Sequence, residues 1–182
     1  MKIFGIDPGS ARTGYGCVER SGSRHHLVLC GSLSAPTTAT FPERLQHIHA
    51  GLVALLAECR PDCVAVESIF HARNVRSALK LGHARGVALL AASEAGLTVH
   101  EYAPAEIKRA VVGYGRAEKP QIQQMVKLLL GLEVVPSPHD VADALAVAIC
   151  HLHNSTGPTA EAIRQHRPVR GTPRSWREYR PS

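Results

Sequence analysis

IFGIDPGSARTGYG, residues 3–16, reads as two strands folded back on one another. The apolar run before Asp7 has strand character, Pro8 and Gly9 mark a turn, and the run resumes at Gly14. Asp7 is left at the tip of the first strand. A buried carboxylate is costly unless something positive meets it. It either caps the turn or receives a cation, and this stretch alone leaves both open.

Working outward, residues 2–7, 14–19 and 26–33 are expected strands, and their short connections favour antiparallel neighbours. A helix should start near Thr40, where Thr40 and Glu43 have capping-box spacing and Pro42 sits in the tolerant first turn. Leu45, Ile48, Leu52, Leu55 and Leu56 form its apolar stripe. CVAVES, residues 63–68, follows this helix and precedes another, so it reads as a buried parallel strand ending in Glu67. A long helix pattern spans 74–94, a fifth strand follows at 97–102, and two short helices end at Gly113 and Gly131. The last helix begins at SPHDVADAL, with Ser137 as expected N-cap, Pro138 at N1 and Asp140 at N3. Three strands, a helix, then alternating strands and helices predict an α/β fold: a mixed five-stranded sheet with helices on both faces.

The chain has 182 residues, which suits one domain with a sizeable core. Its longest apolar runs are short of a membrane span, and its first residues do not read as a signal peptide. Five cysteines show no secreted disulfide framework, and they read as reduced thiols in a cytoplasmic protein. Of the net charge of +6, residues 155–182 supply most, with six Arg and two Glu. The expected organisation is therefore a domain over 1–154 and a basic, flexible tail over 155–182. Such a tail suits a polyanion partner, and it equally suits simple solubility.

Asp7 and Glu67 each end an expected strand. If those strands are parallel neighbours, both carboxylates emerge at one sheet edge. Asp140 and Asp143 are three apart on one helix face, in the first turn where the helix dipole favours the ionised form. The chain has four Asp, and three belong to this set. Carboxylates crowded together repel and raise one another's pKa. Divalent cations relieve that repulsion, and oxygen donors suit Mg²⁺ or Mn²⁺. Two such ions roughly 3.5–4 Å apart can hold a phosphodiester's attacking and leaving oxygens in line. Each residue taken singly also has an ordinary role at its turn or helix end. Cys59 and Cys63, with CHLH at 150–153, match no standard zinc spacing and read as buried thiols and helix-end histidines.

GIDPGSARTGYG, VESIFHARN, ALKLGHARGVAL, VVGYGRAEKPQIQ and HDVADALAVAICH, in this order, resemble the RuvC family of crossover (Holliday) junction endodeoxyribonucleases across nearly all of residues 1–154. The resemblance implies an RNase H-like fold, a homodimer, and metal-dependent paired nicking of four-way DNA junctions in recombination and repair. It further implies 5′-phosphate and 3′-hydroxyl ends and cooperation with a branch-migration complex of the RuvA and RuvB type. It places Asp7, Glu67, Asp140 and Asp143 as catalytic metal ligands for two Mg²⁺ or Mn²⁺ ions per subunit. Asp7 would bridge the ions, Glu67 would hold one, and Asp140 with Asp143 the other. Some relatives carry His where this chain has Asp140, and His139 stands beside it.

Phe70 lies three residues past Glu67; it could stack on a base or wedge a strand apart, or simply fill core. The family's matching Phe acts at the junction centre. Arg73, Arg76 and Lys80 form a basic patch that suits phosphates and also suits a solvated helix face. Lys119 sits at a helix mouth after GYGRAE, where it can meet a phosphate or its developing charge. The resemblance adds Lys108 to the DNA-binding set with Lys119. Ala78, Gly82 and Gly86, at i+4 spacing, form a small-residue row for close helix approach: a twofold dimer interface, or packing on the chain's own sheet. An ATP-handling protein of the actin and sugar-kinase kind shares the opening strand, but it needs a second such domain and phosphate loop. A non-catalytic junction binder has no use for acids that repel DNA.

Overall fold

β1 (Lys2–Asp7) turns back on β2 (Thr13–Ser21), and β2 on β3 (Arg24–Leu33), both pairs antiparallel. The structure is a computed structural model that describes residues 1–68 and 74–155. Phe70, Arg73 and the tail from residue 156 onward lie outside the described residues. After α1 (Phe41–Cys59), β4 (Cys63–Glu67) enters parallel to β1; after α2 (Val75–Glu94), β5 (Val99–Tyr102) enters parallel to β4. The sheet order is β3-β2-β1-β4-β5, the mixed five-stranded arrangement expected. α3 (Pro104–Val112), α4 (Lys119–Leu129) and α5 (His139–Asn154) complete the described elements.

Local signals set the helix ends. The Thr40 backbone N–H donates to the Glu43 carboxylate at 2.6 Å, closing half of the expected capping box. Asn74 caps α2 by accepting from the Ser77 N–H at 2.8 Å. Gly113 ends α3 at φ 92°, a conformation that favours glycine. The start of α5 differs from expectation by one residue. Pro138 has ψ 177°, which is extended, so it is the N-cap itself and Asp140 falls at N2. Asp140 remains in the first turn, where the dipole argument applies.

Strand alternation sorts the two faces. Phe4, Ile6, Cys17, Val64 and Val66 face α1 and α2, packing on Ile48, Leu52, Leu56, Ala88, Ala91 and Ala92. Ile3, Val18, Cys63 and Ala65 face α3, α4 and α5. α5 is buried along almost its whole length, from Val141 to Leu152 apart from Asp143. A helix this apolar needs cover all round, and it receives it from the sheet beneath and α3 and α4 at its flanks.

α5 lies unusually close to β1 and β2 because small residues floor the sheet there. Gly5 pairs with Gly16 across β1–β2 and with Ala65 across β1–β4. A Cβ at Gly5 would sit 2.0 Å from the Ala144 carbonyl oxygen, and one at Gly14 would sit 2.0 Å from that of Asp140. These glycines hold the N-terminal half of α5 against the tip of β1.

The row Ala78, Gly82 and Gly86 does not pack on the chain's own sheet. A Cβ at Gly82 or Gly86 would meet nothing within 4 Å. Val75 (78% exposed) and Leu79 (59%) stand exposed on the same helix. α2 turns its alanines, Ala84, Ala88, Ala91 and Ala92, inward instead.

Candidate active site

The turn after β1 is closed by Thr13, whose hydroxyl donates to the Gly9 carbonyl at 3.0 Å and accepts from the Gly9 N–H at 3.4 Å. Asp7 is thereby left for other partners. β1 and β4 run in parallel register through Ile6 and Val66, so Asp7 and Glu67 are the next residues of adjacent strands and end the sheet side by side. Asp7 is also directly opposite Gly14, over which the first turn of α5 sits. The four carboxylates predicted from the sequence are therefore brought together by β1, β4 and α5.

The electrostatics report the same convergence. Burial, then the charges of Asp143, Glu67 and Asp140, push the Asp7 carboxyl up to about 8. Glu67 is raised as well, by burial and then by Asp143, while Lys119 and Lys108 pull it back. Lys119, at the start of α4, reaches across to Asp143 with Nζ 3.2 Å from Oδ2, although its side chain is 70% exposed. Asp143 is the main reason that Lys119 is held above the ordinary lysine value, so its charge persists. Arg12, in the β1–β2 turn, brings Nη1 to 3.9 Å from Asp140 Oδ2. Sequence reasoning passed over Arg12; its place in the turn directly after Asp7 was the available signal.

Other predicted residues lie further out. Arg76 and Lys80 are exposed near the start of α2, with Lys80 Nζ 5.9 Å from the Phe41 ring centroid. His139 contacts Gln123 at the surface, and no role in the carboxylate cluster follows from that contact. Nothing is described for Phe70 and Arg73.

Half-buried carboxylates with one lysine and one arginine at the rim are an acceptor-rich, negatively charged group of oxygen donors. Such a set suits hard divalent cations, which offset both the burial and the carboxylate repulsion that raise the Asp7 carboxyl. A pH dependence follows. The folded protein holds a proton on Asp7 that the unfolded chain releases near 3.8. The stabilisation from that proton is present below about pH 4 and lost as pH rises through about 8. In chelator, the melting temperature should fall across this window; saturating Mg²⁺, which replaces the proton, should flatten the slope. Thermal melts at several pH values, with EDTA or Mg²⁺, read both. An unchanged slope in Asp7→Asn would assign the effect to other groups.

Comparison with known proteins gives a consistent result. The family model described as crossover junction endodeoxyribonuclease RuvC matches residues 3–151. A crossover junction endodeoxyribonuclease RuvC from Heliobacterium modesticaldum is 56% identical over 156 residues, covering 86% of this chain and 96% of the relative. The solved structure of Thermus thermophilus RuvC is 38% identical, with a TM-score of 0.78 over 85% of this chain and 95% of that one. A further solved structure, T. thermophilus RuvC in complex with Holliday junction substrate, is 35% identical with the same TM-score of 0.78 and the same coverage of both chains.

Proposed function

The chain belongs to the RuvC family of crossover junction endodeoxyribonucleases, and on that premise we propose that it resolves four-way DNA junctions by metal-dependent paired nicking. The observation that carries this reading is the meeting of Asp7, Glu67, Asp140 and Asp143 from β1, β4 and α5, where burial and then the neighbouring carboxylates raise the Asp7 carboxyl to about 8.

In this reading Asp7, Glu67, Asp140 and Asp143 hold two Mg²⁺ or Mn²⁺ ions per subunit. A divalent ion held there would supply Lewis-acid chemistry, lowering the pKa of a water and offsetting the negative charge of the scissile phosphate. The chain's own groups do the rest. Asp7, at the crowded centre, gains from a bound cation, because burial and then its carboxylate neighbours oppose its ionisation. Lys119 keeps its proton and stands at the rim beside Asp143, where it can meet a phosphate oxygen as charge builds on it. Lys108 sits near enough to Glu67 to act on its charge and extends the positive rim. Arg76 and Lys80, exposed on α2, can contact phosphates along the DNA arms, and Arg73 is assigned to the same basic patch by its charge; Phe70 is assigned to the junction centre by its aromatic ring and by family resemblance.

A homodimer fits this function, because a twofold junction needs two symmetric cuts. The face of α2 that carries Ala78, Gly82 and Gly86, flanked by exposed Val75 and Leu79, is the surface assigned to it. A branch-migration complex of the RuvA and RuvB type is the further partner expected.

The direct test is a synthetic mobile junction incubated with the protein and Mg²⁺ or Mn²⁺. The expected products are paired nicks at symmetric positions, with ends that a ligase seals. Binding with no nicks in either metal would leave a junction-binding protein, and this reading would fail.

A further inference from the structure

Away from the carboxylates, the structure places three soft or borderline ligands together. Cys63 at the start of β4, His100 on β5 and His151 near the end of α5 have ligand atoms within 4.8 Å of one another. Cys63 and His151 are each only 5% exposed, and His100 is partly exposed. Cys63 is four residues before Glu67 on β4, about 13 Å along the strand. The two groups of ligands are therefore distinct.

The arrangement around His151 is that of an oriented metal ligand. Its Nδ1 faces the Tyr102 hydroxyl at 2.7 Å, and its Nε2 faces the Cys63 sulfur at 3.4 Å. A ligating histidine ordinarily uses one ring nitrogen for the ion while a hydrogen bond at the other fixes the ring. Tyr102 supplies that second contact. With typical bond lengths of about 2.3 Å to sulfur and about 2.0 Å to nitrogen, a tetrahedral ion separates its sulfur and nitrogen ligands by roughly 3.5 Å. The observed 3.4 Å matches without movement of either element. The His100 ring lies 4.3 Å from that of His151, centroid to centroid, and brings a third donor from the solvent side.

We propose that Cys63, His100 and His151 form a binding site for a borderline divalent transition metal of the Zn²⁺ class, with a fourth position open to water beside His100. Thiolate and imidazole donors select such ions over Mg²⁺ and Mn²⁺, which the oxygen donors of the other site favour. Burial holds His151 neutral, lowered to about 4, so its lone pair is available to an ion. The same burial pushes the Cys63 thiol up to about 11, and a divalent charge is what stabilises the thiolate there. An ion at this point joins β4, β5 and the end of α5. Its effect is expected on stability first, with a rise in melting temperature of about 5 °C at saturating metal.

The test uses the full chain with Co²⁺ as probe, in excess Mg²⁺ to occupy the carboxylates. The expected result is a thiolate-to-cobalt charge-transfer absorption with tetrahedral visible bands, saturating at one ion per chain and bleached by Zn²⁺. Cys63→Ala and His100→Phe should each abolish it, while Cys30→Ser keeps it. X-ray absorption on the wild-type Zn²⁺ form should read one sulfur and two nitrogen neighbours, which does not depend on any variant folding. Absence of the cobalt band in the wild type, or its survival in Cys63→Ala, overturns the proposal. So does a coordination shell with two sulfurs, which Cys63, His100 and His151 cannot supply.

Discussion

Asp7→Asn is expected to bind four-way junctions as tightly as the wild type, or more tightly, while cutting them about a thousandfold more slowly. Asn has nearly the shape of Asp, so β1 and its pairing with β2 and β4 are kept. What is lost is the carboxyl at the centre of the cluster that can give up its proton to a divalent cation. The Asp7 carboxyl is raised to about 8 by burial and by three neighbouring carboxylates, so ionising it is costly unless a cation is present. Its removal therefore weakens the draw on divalent ions. Metal assistance to phosphoryl transfer is worth several kcal/mol, and each 1.36 kcal/mol is tenfold in rate, which gives the factor of about 10³. Binding survives because DNA affinity comes mainly from cations on phosphates, and removing one acid lessens repulsion. Gel-shift and cleavage assays on one junction, at fixed salt, separate the two effects. Normal cutting by Asp7→Asn would remove the metal mechanism; loss of binding and cutting together would point to a misfolded β1.

Much of this site was legible in the sequence because its pieces sit at element ends. Asp7 and Glu67 each close an apolar run, and a parallel pairing of those runs makes them neighbours, as the register of β1 and β4 confirms. The spacing of Asp140 and Asp143 places both on one helix face wherever the first turn starts, so the one-residue error at the N-cap did no harm. The sequence was silent about why α5 comes so near. The reason is the pairing of Gly16, Gly5 and Ala65 across three strands, and strand pairing is a tertiary property that spacing along the chain does not encode. The same limit misled the zinc reading of Cys63 with CHLH at 150–153, which was set aside because its spacing is not standard: the three ligand atoms come from separate elements, and His100 was not in view. For Ala78, Gly82 and Gly86 the periodicity was plain, but a row of small residues looks the same whether it faces the sheet or solvent. Only the inward alanines of α2 decide that it faces out.

Gly14→Ala should lower cleavage about a hundredfold while leaving a folded protein, and it tests the packing argument on its own terms. The added Cβ would lie 2.0 Å from the Asp140 carbonyl oxygen, 2.4 Å from its carbonyl carbon and 3.0 Å from its Cβ. All three are atoms of α5 at its first turn, with two in the backbone, so a rotamer change cannot relieve the clash. The helix start must lift away from β2, or the tip of β2 must bend. Overpacking of this kind typically costs 1–3 kcal/mol, which a domain of this size survives. The same shift carries Asp140 away from Asp7 by a distance on the order of 1 Å, and misplacement of that size costs about 10²-fold in a positioned site. Gly5→Ala gives the comparison that isolates position from packing. Its Cβ would meet the Ala144 carbonyl oxygen at the same 2.0 Å, one turn further along α5 than Asp140. The two variants should melt at similarly lowered temperatures, with Gly14→Ala the more damaging to cleavage for a given loss of stability. Equal activity losses at equal melting temperatures would mean that stability alone, and not the approach of Asp140 to Asp7, accounts for both.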